Sequence, residues 1–197
     1  MAGRAPLRAA AAGIIIAILA VLVLAADQFA KHLALTSLPY GRPVRVIGDF
    51  LVFYLIKNSG AAFSLLPHAT WVFSIALSVV AVVIVWLAIT RVRGRAWAIV
   101  LGLLLGGVLG NLTDRLLREP AFGVGHVVDF ISTPWMMPAI YNVADMFITT
   151  MMVGVALLVL LGVRLDGSRE RRHGADAHAA DAPASTGEQP DAPRHEV

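Results

Sequence analysis

Residues 96–115 read AWAIVLGLLLGGVLGNLTDR, and the way this stretch is housed decides the fold. The run stays apolar from Ala96 to Gly110 and then turns polar at Asn111, Thr113, Asp114 and Arg115. A soluble helix would show polar residues along one face, and this one shows them only at one end. About 18 or more predominantly apolar residues are enough to cross a hydrocarbon core about 30 Å thick, so the stretch predicts a membrane span. Three other segments pass the same length test, which predicts spans at about 9–30, 69–90, 96–115 and 140–163. The whole chain agrees: its 197 residues are 58% hydrophobic and 15% charged, so apolar surface is buried in lipid rather than in a soluble core. Arg4 and Arg8 ahead of the first span suggest a cleavable signal peptide. The apolar run is longer than the usual h-region of about 7–15 residues, however, and Asp27 and Lys31 continue the helical spacing, so a retained span is expected.

Arginines set the orientation. Arg4 and Arg8 precede the first span, Arg91, Arg93 and Arg95 fill the turn between the second and third, and Arg164, Arg169, Arg171 and Arg172 follow the fourth. An even number of spans puts all three clusters on one face, and the positive-inside rule makes that face cytoplasmic. Lys31, Arg42, Arg45, Lys57, Arg115 and Arg118 dilute the contrast without matching the density of the 91–95 turn. The net charge of +3 is therefore an orientation signal and not a nucleic-acid footprint. Both termini are expected in the cytoplasm.

Two external segments remain. Segment 33–67 carries Pro43-Val44-Arg45-Val46-Ile47 and Phe50-Leu51-Val52-Phe53-Tyr54-Leu55-Ile56 on either side of Gly48-Asp49, which predicts a hairpin. So apolar a hairpin is expected to rest on the membrane surface or on the spans. Segment 115–139, with Pro120, Gly123, Gly125, Pro134 and Pro138, is expected to be mostly irregular. The fold class is then an all-α membrane protein, four transmembrane helices with a small external β-sheet between spans one and two. Residues 1–165 form the membrane domain. From Asp166 onward large apolar residues almost vanish, so 166–197 is expected to be a disordered cytoplasmic tail.

Ionisable groups at membrane depth are costly and default to a functional reading. Asp114 ends the third span and Asp145 opens the fourth, so topology brings both to the external face. Asn111 and Asn142 each precede an aspartate by three positions, which puts amide and carboxylate on one helix face. Two carboxylates held close share a proton, one activating water while the other polarises a carbonyl. The alternative is that the aspartates cap helix ends or pair with Arg115 and Arg118. Gly102, Gly106 and Gly110 form an i, i+4 row leading to Asp114, suited to close helix packing or to an extended substrate lying on the backbone. Asp27 and Lys31 are spaced as an i, i+4 ion pair. Asn58-Ser59-Gly60-Ala61-Ala62-Phe63 reads as a turn or as a polar contact with close backbone approach.

Other chemistries fare worse. Without cysteine, disulfides, thiolate nucleophiles and Cys-bound metals are excluded. His32, His68 and His126 are scattered with no His-Glu-x-x-His, and no metal or other cofactor is expected. No Gly-x-Ser-x-Gly elbow occurs, and Lys57 lies too near Ser59 for an evident Ser/Lys dyad. A small proton-coupled transporter using the paired carboxylates is the rival reading, although transport sites favour the bilayer midplane.

Five ordered motifs carry a resemblance: Asp27-Gln28-Phe29-Ala30-Lys31, Asn58 through Phe63, Gly106 through Arg115, Val127-Val128-Asp129-Phe130, and Tyr141-Asn142-Val143-Ala144-Asp145. Together they resemble the bacterial lipoprotein signal peptidase (signal peptidase II) family. Ala30 stands where that family usually has Ser or Thr, and Tyr141 where it more often has Phe. The resemblance implies an inner-membrane aspartic endopeptidase whose external sheet cradles the substrate. It implies removal of the signal peptide from diacylglyceryl-modified prolipoproteins, on the amino side of the lipidated cysteine. Asp114 and Asp145 would be the catalytic pair. Asn58, Asn111, Arg115 and Asn142 would position substrate or support the pair, and Asp27, Lys31, Gly60 and Asp129 would be secondary site or structural positions. Partners would be the prolipoprotein and membrane lipid, with no nucleic acid and no obligate protein partner.

Overall fold

A computed structural model describes residues 7–60 and 70–169. Four helices within it are long and apolar enough to cross a membrane: α1 (Ala9–Ser37), α2 (Thr70–Thr90), α3 (Arg95–Leu117) and α4 (Val143–Leu160). Each keeps its backbone hydrogen bonds within itself, the condition lipid imposes on a spanning segment. The third is the axis of the bundle. Trp97, Ala98, Leu101, Leu104, Leu105 and Val108 of α3 are buried, and Ala12, Ile16, Ala20, Ala81, Ile84 and Ala88 of α1 and α2 pack into the same core. Ile18, Val82, Ile89, Val153 and Leu160 point outward, as lipid-facing residues should.

The glycine row on α3 is filled by α1. A Cβ on Gly102 would lie 3.0 Å from the Ile16 Cα, and one on Gly106 would lie 2.8 Å from the Ala20 carbonyl oxygen. Of the two uses open to that row, close helix packing is the one adopted, and no channel for an extended substrate is left along it. Gly107 serves α4 in the same way, facing the Ala144 carbonyl oxygen.

The sheet is larger than the sequence predicts. Strands β1 (Pro43–Ile47) and β2 (Leu51–Asn58) form the expected hairpin, and β3 (Val127–Ser132) and β4 (Ile140–Tyr141) extend it. The order is β1-β2-β3-β4, antiparallel throughout. Segment 115–139 is mostly irregular, as expected, but it holds one strand that was not expected: across β2, Val127 pairs with Asn58 and Asp129 with Ile56. The glycines and prolines around it mask a short strand whose partner is distant in sequence. Ile140 and Tyr141 belong to the sheet, and α4 begins only at Val143 because Asn142 caps it.

The sheet rests on a span. Helix α1 runs seven residues past the expected end, and Ala34 there packs with Leu55, Val128 and Phe130 in a second core beneath the strands. At 1.5 Å per residue its 29 residues measure roughly 43 Å, longer than a bilayer core of about 30 Å. At the opposite end the α2–α3 turn is tied to the end of α4: Arg93 and Gly94 backbone N–H groups both donate to the Leu165 carbonyl oxygen, and the Trp97 indole N–H donates to that of Val163. The expected tail falls mainly outside the described residues, as do Ala61, Ala62 and Phe63.

Candidate active site

The C-terminal ends of α1 and α3, the start of α4, and β2 and β3 converge on one polar cluster. It separates into two halves of different electrostatic character, joined by amides.

The first half is an ion cluster. Lys31 Nζ lies 2.8 Å from Asp27 Oδ2 and 2.8 Å from Asp114 Oδ2, with all three side chains inaccessible to solvent. Arg118 Nε donates to Asp114 Oδ1 at 2.6 Å, Gln28 Nε2 to the same oxygen at 3.1 Å, and the Val128 backbone N–H to Oδ2 at 3.1 Å. Asp27 Oδ1 meanwhile accepts from the Ala144 backbone N–H at 2.8 Å, so α1 holds the first turn of α4. An ionised carboxylate has about four lone-pair sites, and donors occupy as many on Asp114. Neither of its oxygens is left for a water. Of the two arginines expected as possible partners for Asp114, Arg118 is the one that pairs with it.

The second half contains Asp129 and Asp145, and among the described residues no cation forms an ion pair with either. Asp129 accepts from Asn58 Nδ2 at 2.8 Å and from Asn142 Nδ2 at 2.6 Å. Asp145 accepts from Asn111 Nδ2 at 2.7 Å and from the Asn142 backbone N–H at 3.1 Å, while its own N–H returns a bond to Asn142 Oδ1. That reciprocal exchange is a capping box at the start of α4, so the helix end fixes Asp145 as it forms. Asn142 therefore touches both carboxylates. Burial pushes the Asp129 carboxyl up to about 6, opposed by the Asn58 and Asn142 hydrogen bonds and reinforced by the Asp145 charge. Asp129 is 1% exposed, whereas Asp145 is only half-buried.

Asn111 links the halves. Its Oδ1 accepts from Lys31 Nζ and from Asn142 Nδ2, both at 3.1 Å, which leaves its Nδ2 to face Asp145. The lysine thereby sets which way the amide points.

Arg115 does not join the carboxylates. Its Nη1 donates to the carbonyl oxygens of Ser59 and Gly125, and its guanidinium lies 5.6 Å from the Phe73 ring centroid. It ties both external segments to the bundle. Gly60 sits beside it with φ +86°, and a Cβ there would fall 2.7 Å from Arg115 Nη2. Among the described residues no group of three or more His, Asp or Glu is arranged to hold a metal. Sequence reading passed over Gln28 and Arg118 as site residues. The i, i+4 spacing of Asp114 and Arg118 was the available signal for the second.

Four spans, a sheet resting on one of them and a buried carboxylate cluster between the two define a polytopic membrane protein with an enzyme-like polar site at one end of its helices. Known proteins make the class specific. The family model for signal peptidase II matches residues 19–164. A lipoprotein signal peptidase of Leifsonia xyli subsp. xyli (strain CTCB07) is 46% identical over 182 residues, covering 92% of this chain and 83% of that protein. One of Rhodococcus jostii (strain RHA1) is 44% identical over 154 residues, 78% of this chain and 76% of that protein. A solved bacterial membrane enzyme superposes with a TM-score of 0.65 at 28% identity, over 79% of this chain and 93% of that one. The chain belongs to the signal peptidase II family, a family of membrane proteases.

Proposed function

We propose that this protease is an aspartic endopeptidase of the bacterial inner membrane and that its reacting pair is Asp129 and Asp145. The substrate is a prolipoprotein carrying a diacylglyceryl group on cysteine, cut on the amino side of that cysteine. The observation that carries the assignment is Asn142, hydrogen-bonded to both carboxylates, while among the described residues neither pairs with a cation. Asp114 was the other candidate for the pair, and its four donors argue for a structural role instead.

In the reacting form Asp129, whose carboxyl is raised toward 6, carries the proton that the pair shares, and half-buried Asp145 takes the part of the base. Asp145 removes a proton from water as the water oxygen bonds to the scissile carbonyl carbon. Asp129 gives its proton to the carbonyl oxygen, so no oxyanion is left in a low-dielectric site. The tetrahedral adduct then collapses. The C–N bond breaks, Asp145 passes its proton to the leaving amine, and the hydroxyl returns its proton to Asp129. The products are a signal peptide with a new carboxyl end and a lipidated cysteine with a free amine, and the starting protonation state is restored.

The geometry suits a substrate that arrives in lipid. Its signal helix lies in the bilayer, its scissile bond meets the end of the spans, and the sheet covers the site from outside. With the arginine clusters in the cytoplasm, the pair faces the external side. A proton-coupled transporter is not favoured, because the site sits at one end of the bundle and the relatives are named peptidases.

Asp129→Asn and Asp145→Asn should each lower prolipoprotein cleavage by at least roughly a hundredfold to ten-thousandfold while the protein still accumulates in the membrane. Asp114→Asn should retain cleavage per folded molecule but unfold at lower temperature. Normal cleavage by Asp129→Asn, with none by a folded Asp114→Asn, would return Asp114 to the pair.

A further inference from the structure

At the end of the bundle remote from the carboxylates, α2 and α4 both pack on α3 but leave a cleft of about 810 Å3 between them. Trp97, Leu101 and Leu104 of α3 form its floor, and Val155 and Val159 of α4 form one wall. From Trp97 to Leu104 is roughly 10 Å of helix, so the cleft reaches about a third of the way through the bilayer core. Its mouth carries Arg91 and Arg93 from the α2–α3 turn. Arg91 is exposed, and Arg93 spends one Nη1 bond on the Val92 carbonyl oxygen, leaving most of its guanidinium available. The acidic residue among those lining the mouth is Asp166. Its Oδ1 accepts the Ser168 backbone N–H and hydroxyl, so it closes its own turn.

We infer that this cleft is a binding site for one anionic phospholipid of the surrounding bilayer, with its acyl chain along α3 and its phosphate between Arg91 and Arg93. Three features choose this occupant. The walls are apolar and lie at acyl depth. The helices forming them keep their backbone groups to themselves, so an extended peptide would find no partners for its amides there. The mouth carries excess positive charge, which attracts a phosphodiester and repels the choline of a zwitterionic headgroup. Basic pockets between spans at the cytoplasmic face are the kind of place that holds anionic headgroups. The turn itself is held by the Arg93 and Gly94 bonds to Leu165, so the two guanidinium groups are presented from a fixed frame.

The test uses the full-length protein in nonionic detergent, with binding followed by native mass spectrometry and thermal unfolding. Added phosphatidylglycerol should appear as a one-to-one adduct and raise the Tm, and phosphatidylcholine should do neither. In Arg91→Gln/Arg93→Gln, phosphatidylglycerol should bind roughly tenfold more weakly, while the Tm without lipid is unchanged. Val159→Trp, which fills the cleft from an exposed position, should remove the adduct with both arginines in place. Equal binding of the two lipids overturns the inference, and so does phosphatidylglycerol binding that neither variant alters. None of these readouts depends on the assignment of the reacting pair.

Discussion

Lys31 is completely buried, and two carboxylates and an amide oxygen surround its Nζ. Removing one partner of such a cluster leaves uncompensated charge, so Lys31→Met is expected to cost about 3–5 kcal/mol of stability. Any folded fraction should also cleave more slowly, because the Asn111 amide loses the contact that sets its direction; Tm and kcat measured together separate the effects. Asp129 gives a second expectation. Its carboxyl sits near 6 against an ordinary 3.8, so the folded chain holds a proton that the unfolded chain releases. That stabilisation is complete below the ordinary value and is lost as pH rises through about 6, a difference on the order of 3 kcal/mol. Tm should therefore fall between those two pH values, and the fall should be absent from Asp129→Asn. The sequence made Asp145 legible because its Asn-x-x-Asp spacing is a helix-end pattern. It favoured Asp114 for the same reason but could not show the groups that occupy that carboxylate, which come from α1, from β3 and from the residue just after α3. Asp129 sits in a strand, where nothing local marks it as the neighbour of Asp145.

Among the elements, α3 shows how a repeated small residue can be read two ways until its neighbour is known. Gly106→Ala would place a methyl group 2.5 Å from the Val23 Cβ and 2.8 Å from the Ala20 carbonyl oxygen. Backbone cannot swing aside as a side chain can, so a loss of about 1–3 kcal/mol is expected from thermal unfolding in detergent. Gly13 is the control: a Cβ there meets nothing within 4 Å, so Gly13→Ala should be neutral or up to about 1 kcal/mol stabilising. The spans were readable because hydrophobic length needs no knowledge of partners. The hairpin was readable because its strands adjoin in sequence. Strand β3 was not, since its pairing with β2 joins residues about seventy positions apart, and glycines and prolines flank it. The start of α4 was misplaced by two or three residues for a related reason: Ile140 and Tyr141 are as apolar as a span but are claimed by the sheet.

At the scale of the whole molecule, the arrangement of spans makes a topological statement that labelling can check. The chain has no cysteine, so a single introduced thiol reports one position without background. Asp49→Cys, at the hairpin turn, should react with a membrane-impermeant maleimide in intact cells stripped of any outer barrier. Ser168→Cys, beyond α4, should react only after the membrane is opened. The reverse pattern would invert the orientation and place the carboxylates on the cytoplasmic side. Four spans and the hairpin between the first two were accessible from hydrophobic length and alternation. The convergence of five elements on one cluster was not, because it depends on contacts made only once every span is in place.

The ion cluster also bears on how such a chain enters a membrane during synthesis. Its charges arrive in two pairs, each four residues apart on one helix: Asp27 with Lys31 on α1, and Asp114 with Arg118 at the end of α3. Each helix can therefore reach lipid with its own counter-ion already beside it, and neither must wait for the other to be neutralised. When the bundle closes, two electrically balanced segments merge, and Lys31 reaches across to Asp114 without leaving Asp27. For these two pairs, entry into lipid does not have to wait for the bundle to close.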